Sequence, residues 1–372
     1  MKVLVLTSSY PTPEQPVGGI FVREYARAAA DRADVVVAHL DRNGGARVHT
    51  TAIDDEGLPL VRVQYPRSPA GLVWHLAAAE AAWRRLPFEP DLIHAHFVIA
   101  GIPAVLLGRL HRKPVVISEN WGIFLADNPD RVKLPLRIGA RFAFGRANLV
   151  LPVSDAMERS LRQLGVRTRM RVLPNPVDER VFSAPTAWEA REVPHLVTVG
   201  LFYDGAKGID LLLRAVAQLG RKIRLDIVGD GIERAEYERL AAELAIGDSV
   251  TFRGLLPKPA VAELMRTADV FVLASRYDNN PNVLLEALMC GLPSVATRVG
   301  GVPEIIDATN GILVPPHDVP ALADGMRRML DGLGGYDRAL IAQRAAARFG
   351  RERIATDLAA AFADVLAGTV AD

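Results

Sequence analysis

The sequence predicts an α/β protein made of two doubly wound, parallel-sheet domains, and three observations carry that prediction. Short continuous apolar runs alternate with longer segments of helical period along nearly the whole chain. The alternation breaks once, at a proline-rich aperiodic segment, and then restarts. At 372 residues the chain also exceeds one typical hydrophobic core.

In order, residues 3–6 read as a buried strand, residues 8–19 as a loop bearing Pro and Gly, and the pattern through Phe21, Tyr25 and Ala29 as a helix. Strands are expected at 35–40, 60–65, 92–96, 114–118, 149–153 and 170–173, with helices at 72–86, 102–110, 134–145 and 156–164 between most of them. This completes one doubly wound domain, over 1–180. Residues 174–194 read as a linker. The alternation then resumes at 195–201, 209–219, 225–228, 235–244, 250–252, 261–267, 270–274, 294–296 and 312–314, a second domain over 181–350. The two are expected to face one another across a cleft. The alanine-rich helical stretch 351–366, within the segment 351–372, is expected to return to the first domain as a hinge-spanning helix, a placement made by architecture alone.

Lys and Arg total 44 against 43 Asp and Glu, and the formal charge of +1 argues against nucleic acid as the main partner. A single cysteine, Cys290, excludes an intrachain disulfide framework, fits a reducing compartment and reads as a small buried apolar residue. The start, Met1-Lys2-Val3-Leu4-Val5-Leu6-Thr7, turns polar too soon for a signal peptide, and no apolar run is long enough to span a bilayer. A cytoplasmic protein is expected, with peripheral attachment to the inner face of a membrane compatible with these features.

The stretch Ser275-Arg276-Tyr277-Asp278-Asn279-Asn280-Pro281-Asn282-Val283-Leu284-Leu285-Glu286-Ala287-Leu288-Met289-Cys290-Gly291 is the densest in chemistry. It joins an apolar strand to an apolar helix. Asn280 is suited to cap that helix and Pro281 to its first turn, so the amides of Asn282, Val283 and Leu284 are expected to form a small anion site. Glu286 stands without polar company in the helix. A buried carboxylate needs either a cation or hydroxyl groups supplied by a ligand, and the spacing alone serves a pairing with Arg equally well. Asn282 shares its face, and Asp278 sits in the preceding loop, where a second carboxylate can meet another part of one ligand.

Gly18-Gly19 lies between the first strand and first helix, where missing side chains let backbone approach phosphate, although loops need glycine for positive φ anyway. The dinucleotide fingerprint and the phosphate loop ending Gly-Lys-Ser/Thr are both missing, which argues against a dehydrogenase or P-loop enzyme. Lys207-Gly208 precedes another helix; its ammonium can neutralise a departing diphosphate, or simply be solvated. Gly229-Asp230-Gly231 follows a strand at the end where ligands of open sheets collect, and also suits a plain tight turn. His94 and His96 lie two apart on one strand, but a third metal ligand at short range is lacking, and His96 is expected to touch substrate instead. Arg131, Lys133, Arg137, Arg141 and Arg146, interleaved with Val132, Leu134, Ile138 and Phe142, make a basic amphipathic helix. Such a helix either has one packed and one solvated face or lies against an anionic membrane.

In order and spacing, these pieces resemble the retaining glycosyltransferases of family 4 in the GT-B superfold, over nearly the whole chain. The matching residues are Gly18-Gly19-Ile20-Phe21-Val22-Arg23, Asp91-Leu92-Ile93-His94-Ala95-His96, Val153-Ser154, Pro174-Asn175-Pro176-Val177-Asp178, Val199-Gly200, Lys207-Gly208, Gly229-Asp230-Gly231, the stretch 278–286 and Gly300-Gly301-Val302-Pro303-Glu304. The resemblance implies two Rossmann-like domains and a hexosyltransferase. Its second domain would hold a UDP- or GDP-linked sugar, with Glu286 accepting the ribose hydroxyls and the amides of Asn282 and Val283 on the diphosphate. Asp278 would hold hydroxyls of the transferred sugar, Lys207 would stabilise the leaving diphosphate, and Gly18 or Gly19 would close on it. It implies no cofactor beyond this co-substrate and no metal ion. Saccharide, lipid-linked and small-molecule acceptors all fit.

Three departures stand out. The first acid of the family's pair is commonly Glu and is Asp278 here. Leu201 stands where an Arg is usual. Glu119-Asn120-Trp121 occupies the loop where a histidine is frequent, with Asn120 the polar group left to reach a sugar. An epimerase or hydrolase of nucleotide sugars and an inactive nucleotide-sugar-binding relative are the rival readings. The first would release nucleotide at full rate without acceptor, and the second would bind without turnover.

Overall fold

A computed structural model of the chain describes residues 1–44, 47–68, 71–125, 132–189 and 191–368. Its contacts divide it into two units, Met1–Pro176 with Arg351–Asp372, and Val177–Gly350. The division falls after Pro176 rather than after Arg180, because Val177 already bridges to Gly350.

The first unit runs β1 (Lys2–Thr7), α1 (Ile20–Ala30), β2 (Asp34–Gly44), β3 (His49–Asp55), β4 (Leu58–Pro66), α2 (Gly71–Trp83), β5 (Leu92–His96), α3 (Phe97–His111), β6 (Val115–Glu119), α4 (Leu134–Phe144), β7 (Leu149–Pro152) and α5 (Asp155–Gln163). Its seven-stranded sheet has the order β3-β4-β2-β1-β5-β6-β7. The strand alternation sorts side chains to two faces. Leu4 and Leu6 of β1 pack with Ala78, Ala104 and Phe144 on one side, and Val3 and Val5 pack with Val22 and Tyr25 on the other.

Two strand expectations need correction. Between the strands expected at 35–40 and 60–65 the chain is not without structure: β2 runs on to Gly44, and β3 pairs antiparallel with β4 at the sheet edge. Its residues His49, Thr50, Thr51, Asp54 and Asp55 carry no apolar stripe because an edge strand buries little, so periodicity could not find it. The available signal was the turn, where Glu56 and Gly57 both take positive φ, as an I′ hairpin requires. Residues 170–173 run along β7 but make a single bridge, Val150 to Met170; the prolines at 174 and 176 supply no amide with which a ladder could continue.

The second unit runs β8 (His195–Val199), α6 (Ile209–Ala217), β9 (Arg224–Val228), α7 (Arg234–Glu243), β10 (Val250–Gly254), α8 (Lys258–Thr267), β11 (Val270–Leu273), α9 (Asn282–Met289), β12 (Ser294–Thr297), β13 (Gly311–Val314), α10 (Val319–Asp331) and α11 (Arg338–Phe349). Its six strands are parallel, in the order β10-β9-β8-β11-β12-β13. The last helix, α12 (Arg351–Leu366), belongs to the first unit: Ile354, Leu358 and Phe362 are buried with Tyr25, and Arg351 pairs with Asp31.

Within the second sheet, the buried carboxylate of Asp226 in mid-β9 accepts from His195 Nε2 at 2.7 Å, Arg253 Nε at 2.8 Å and Arg224 at 3.2 Å. Burial alone would raise this carboxyl, but the His195 and Arg253 bonds outweigh it and hold it at about 2. A depressed carboxyl stabilises the fold above its unfolded value and loses that contribution as pH falls through the folded one. The Asp226 contribution, on the order of 2 kcal/mol at neutral pH, should therefore fade between about pH 4 and pH 2. Thermal denaturation of Asp226→Asn should show a deficit against wild type at pH 7 that narrows across that window; a constant deficit would remove the carboxylate from the account.

Candidate active site

In each sheet one adjacent pair of strands sends the chain outward in opposite directions, β1 and β5 in the first unit and β8 and β11 in the second. The carboxyl ends at such a switch point are where open α/β sheets take ligands. In the second unit, the loops following β8 and β11 carry Lys207 and Asp278.

The structure brings these two together: Lys207 Nζ lies 2.6 Å from Asp278 Oδ2. Gly208 makes the approach possible. It takes φ 60° as the residue before α6, and a Cβ there would lie 2.1 Å from the carbonyl oxygen of Ala274. Arg276 then stitches the loops together. Its amide donates to Ala206 O at 2.7 Å, and its guanidinium donates to Gly205 O at 2.8 Å and to both oxygens of Asp210, at 2.8 and 2.6 Å. Burial would raise the Asp210 carboxyl, yet the Arg276 pair outweighs it and the net shift is downward. Tyr277 donates its hydroxyl to Asp204, a further tie. Asp278 is also held by Ser275 Oγ at 3.3 Å and accepts from its neighbour's amide, Asn279, at 3.0 Å. Sequence reasoning missed Arg276, Asp210 and Ser275 as supports, since ion pairs between loops 66 residues apart leave no local pattern.

The capping of α9 differs from expectation. The helix begins at Asn282, and its cap residue is Pro281, which makes no side-chain cap bond; Asn280 precedes it, nearly buried. The Leu284 amide donates to Pro281 O at 2.9 Å and is thereby used inside the turn, which takes it out of the expected anion site. Glu286 is buried, with 8% of its surface exposed, and Lys258 Nζ at the start of α8 stands 3.9 Å from its Oε1. A lysine thus stands within ion-pair distance of it. Cys290, in the C-cap of α9, is fully buried, and burial pushes its thiol up to about 12.

Gly229-Asp230-Gly231 packs against the loop after β8. A Cβ on Gly229 would lie 1.7 Å from Gly200 O, and one on Gly231 2.2 Å from Phe202 O. Both glycines thus permit backbone contact, and Asp230 O accepts from the Phe202 amide at 3.1 Å. Leu201, in the same loop, is 37% exposed. Gly229→Ala should therefore push this loop outward, with a loss of several degrees in Tm in a thermal melt; an unchanged Tm would mean the loop shifts freely.

In the first unit, Gly19 precedes α1 with φ 68°, and a Cβ there would lie 2.4 Å from the backbone of Ser9; Gly18 has a contact of 3.4 Å to Gln15 and needs no special conformation. His96 ends β5 as expected but is fully buried against Tyr25 and His94, so it cannot touch a substrate in this state. Desolvation holds its imidazole well below the usual range, and neither ring nitrogen has a partner among the described residues. His94 Nε2 instead meets Ser118 Oγ at 2.8 Å. Asn120 is half-buried and donates to Asn175 Oδ1 at 2.5 Å.

Glu119 is a residue the sequence did not single out as functional. Its fully buried carboxylate accepts from the amides of Val98 at 2.9 Å and Trp121 at 2.8 Å. Burial pushes it up to about 7 against these bonds. Val98 lies one residue after Phe97, which starts α3 with φ 66°, a left-handed conformation costing a non-glycine residue about 1–3 kcal/mol. In α4, Leu134 and Ile138 are 68% and 60% exposed while Ala140, Ala143 and Phe144 are buried. Arg131 of the basic segment lies outside the described residues.

Two parallel-sheet α/β domains, with a lysine and an acid paired at one switch point ahead of a helix bearing a buried Glu, define a glycosyltransferase of GT-B architecture. The chain belongs to glycosyltransferase family 4. A family model described as Glycosyltransferase Family 4 matches residues 18–181, and one described as Glycosyl transferases group 1 matches 193–332. Alpha-D-kanosaminyltransferase of Streptomyces kanamyceticus is 30% identical over 263 residues, covering 64% of this chain and 68% of the relative. Sucrose-phosphate synthase of Thermosynechococcus elongatus superposes with a TM-score of 0.83 at 25% identity, over 99% of this chain and 100% of that one. HepE of Anabaena, solved with UDP, superposes with a TM-score of 0.77 at 19% identity, over 98% and 100%.

Proposed function

We propose that the protein transfers a hexose from a UDP- or GDP-linked sugar to an acceptor hydroxyl with retained anomeric configuration, in the making of a polysaccharide, glycolipid or other glycoconjugate. The observation that carries this reading is the Lys207–Asp278 pair, 2.6 Å apart and ahead of α9. In the proposed complex Asp278 turns to hydroxyls of the sugar and Lys207 to the diphosphate, while Glu286 accepts the ribose hydroxyls. The Gly229 turn backs the same loop. The bond that breaks joins the anomeric carbon to the diphosphate oxygen, and negative charge grows on that oxygen in the transition state. Lys207 and the first-turn amides of Asn282 and Val283 are aimed at this charge, which electrostatics alone can stabilise in a water-poor site. The leaving phosphate takes the acceptor's proton, so no protein base is assigned.

Because Lys207 and these amides are given the charge-neutralising role, a divalent cation is not, and turnover should be unchanged by excess EDTA; loss of turnover restored by magnesium would reverse that assignment. Thermal-shift screening of nucleotide sugars, followed by turnover with the best binder across saccharide, lipid-linked and small-molecule acceptors, tests the reading as a whole. Nucleotide release at the same rate without acceptor would favour an epimerase or hydrolase. For the acceptor side, the exposed Leu134 and Ile138 flanking Arg137 support peripheral contact with an anionic membrane. No helix among the described residues is long and apolar enough to cross one.

A further inference from the structure

At the first unit's switch point three aromatic rings meet. Phe21 comes from α1, Phe97 from the start of α3 and Trp121 from the residues after β6. The Phe21 and Phe97 rings lie 5.3 Å apart at 88°, and the Phe97 and Trp121 rings 6.4 Å apart at 76°. Phe21 and Phe97 are half-buried and pack against the core, so the edge-on contacts make them a backing for the more exposed indole. Trp121 is 38% exposed, and its indole N–H has no acceptor among the described residues. The arrangement is maintained by two features that folding alone would select against. Phe97 takes the left-handed conformation, and Glu119 gives a wholly buried carboxylate to two backbone amides with no ion pair among the described residues. Those amides belong to Val98 and Trp121, so one carboxylate sets the start of α3 and the tryptophan loop at a fixed separation.

We propose that Phe21, Phe97 and Trp121 form a stacking platform for a pyranose ring of the acceptor, and that Glu119 is the positioning residue that sets the indole. A pyranose ring presents an apolar C–H face and a rim of hydroxyls. The indole face takes the first, and the indole N–H takes the second. An acyl chain would need a continuous apolar groove, whereas the two phenyl rings are half-buried and the exposed ring, Trp121, carries a polar N–H. The inference rests on the proposed glycosyl transfer and commits it to an acceptor that carries sugar.

The test compares Trp121→Ala, Trp121→Phe and Glu119→Gln in the full chain with the donor and acceptor found by screening. Trp121→Ala should raise the acceptor KM about tenfold or more with the donor KM within about twofold, and Trp121→Phe should recover most of that loss. Glu119→Gln keeps one carbonyl acceptor for two amides and should raise the acceptor KM by about threefold, again without moving the donor KM. A merely structural role would shift both KM values and Tm together, and that result, or an unchanged acceptor KM in Trp121→Ala, would overturn the proposal. So would equal use of an acceptor lipid stripped of its sugar. If no nucleotide sugar is turned over, the functional reading fails, and the platform is then judged by tryptophan fluorescence. A saccharide-dependent change present in wild type and lost in Trp121→Phe would sustain it, and no change in either would end it.

Discussion

Lys207→Ala is expected to lower kcat by about 10²–10³-fold while weakening nucleotide-sugar binding by less than about tenfold. The asymmetry follows from where the charge appears. In the ground state the diphosphate already has solvent and the first-turn amides of α9 to balance it, but the extra charge of the departing oxygen exists only in the transition state. On the proposed reading Lys207 serves the second task, and its loop is held in place because Gly208 lets it sit against Ala274 and Arg276 locks it to the one carrying Asp278. The substitution also leaves Asp278 without its 2.6 Å partner. The double variant Lys207→Ala with Asp278→Asn therefore separates lost stabilisation from a stranded carboxylate: steady-state kinetics should find its kcat no better than that of Lys207→Ala. Equal losses in kcat and in donor affinity would make Lys207 a binding residue only.

Glu286→Ala is expected to weaken donor binding about 10–100-fold, the range for losing hydrogen bonds to a charged acceptor, with a smaller change in kcat at saturating donor. The carboxylate is 8% exposed in a helix whose other buried members are Leu284, Leu285, Ala287, Leu288 and Met289, with Lys258 3.9 Å away. A charge kept in such surroundings is costly to the fold, so its removal should leave Tm unchanged or higher. Isothermal titration with the donor beside a thermal melt would read both quantities. A falling Tm with intact donor affinity would make the Glu286–Lys258 pair structural and remove the ribose assignment.

Much of this was legible in the chain. Parallel strands buried on both faces, such as β1, β5 and β8, read as continuous apolar runs, and the Arg351–Leu366 helix was legible end to end. Lys207 and Asp278 were visible as residue types at loop positions. Their pairing was not, because it depends on β8 and β11 being neighbours, which strand order decides and local pattern does not. The cap of α9 was misread for a local reason: Asn and Pro both suit helix starts, and one residue of register separates the alternatives. His96 was misread for a tertiary one, since α3 starts directly after it, so that it is buried against Tyr25 rather than open at the strand end.

The sequence by itself determined the class of architecture, the division into two units and the residue types that can meet a charged, hydroxylated ligand. Periodicity and turn chemistry act over a few residues, and each of these properties is written at that range. The tertiary structure alone decided which side chains meet: Lys207 with Asp278, Arg276 with Asp210, Glu119 with the amides of Val98 and Trp121. Apart from the local Glu119–Trp121 bond, each pair joins segments brought together by parallel strand order, and a parallel crossover needs a helix between its strands, so the partners lie 71, 66 and 21 residues apart in the chain.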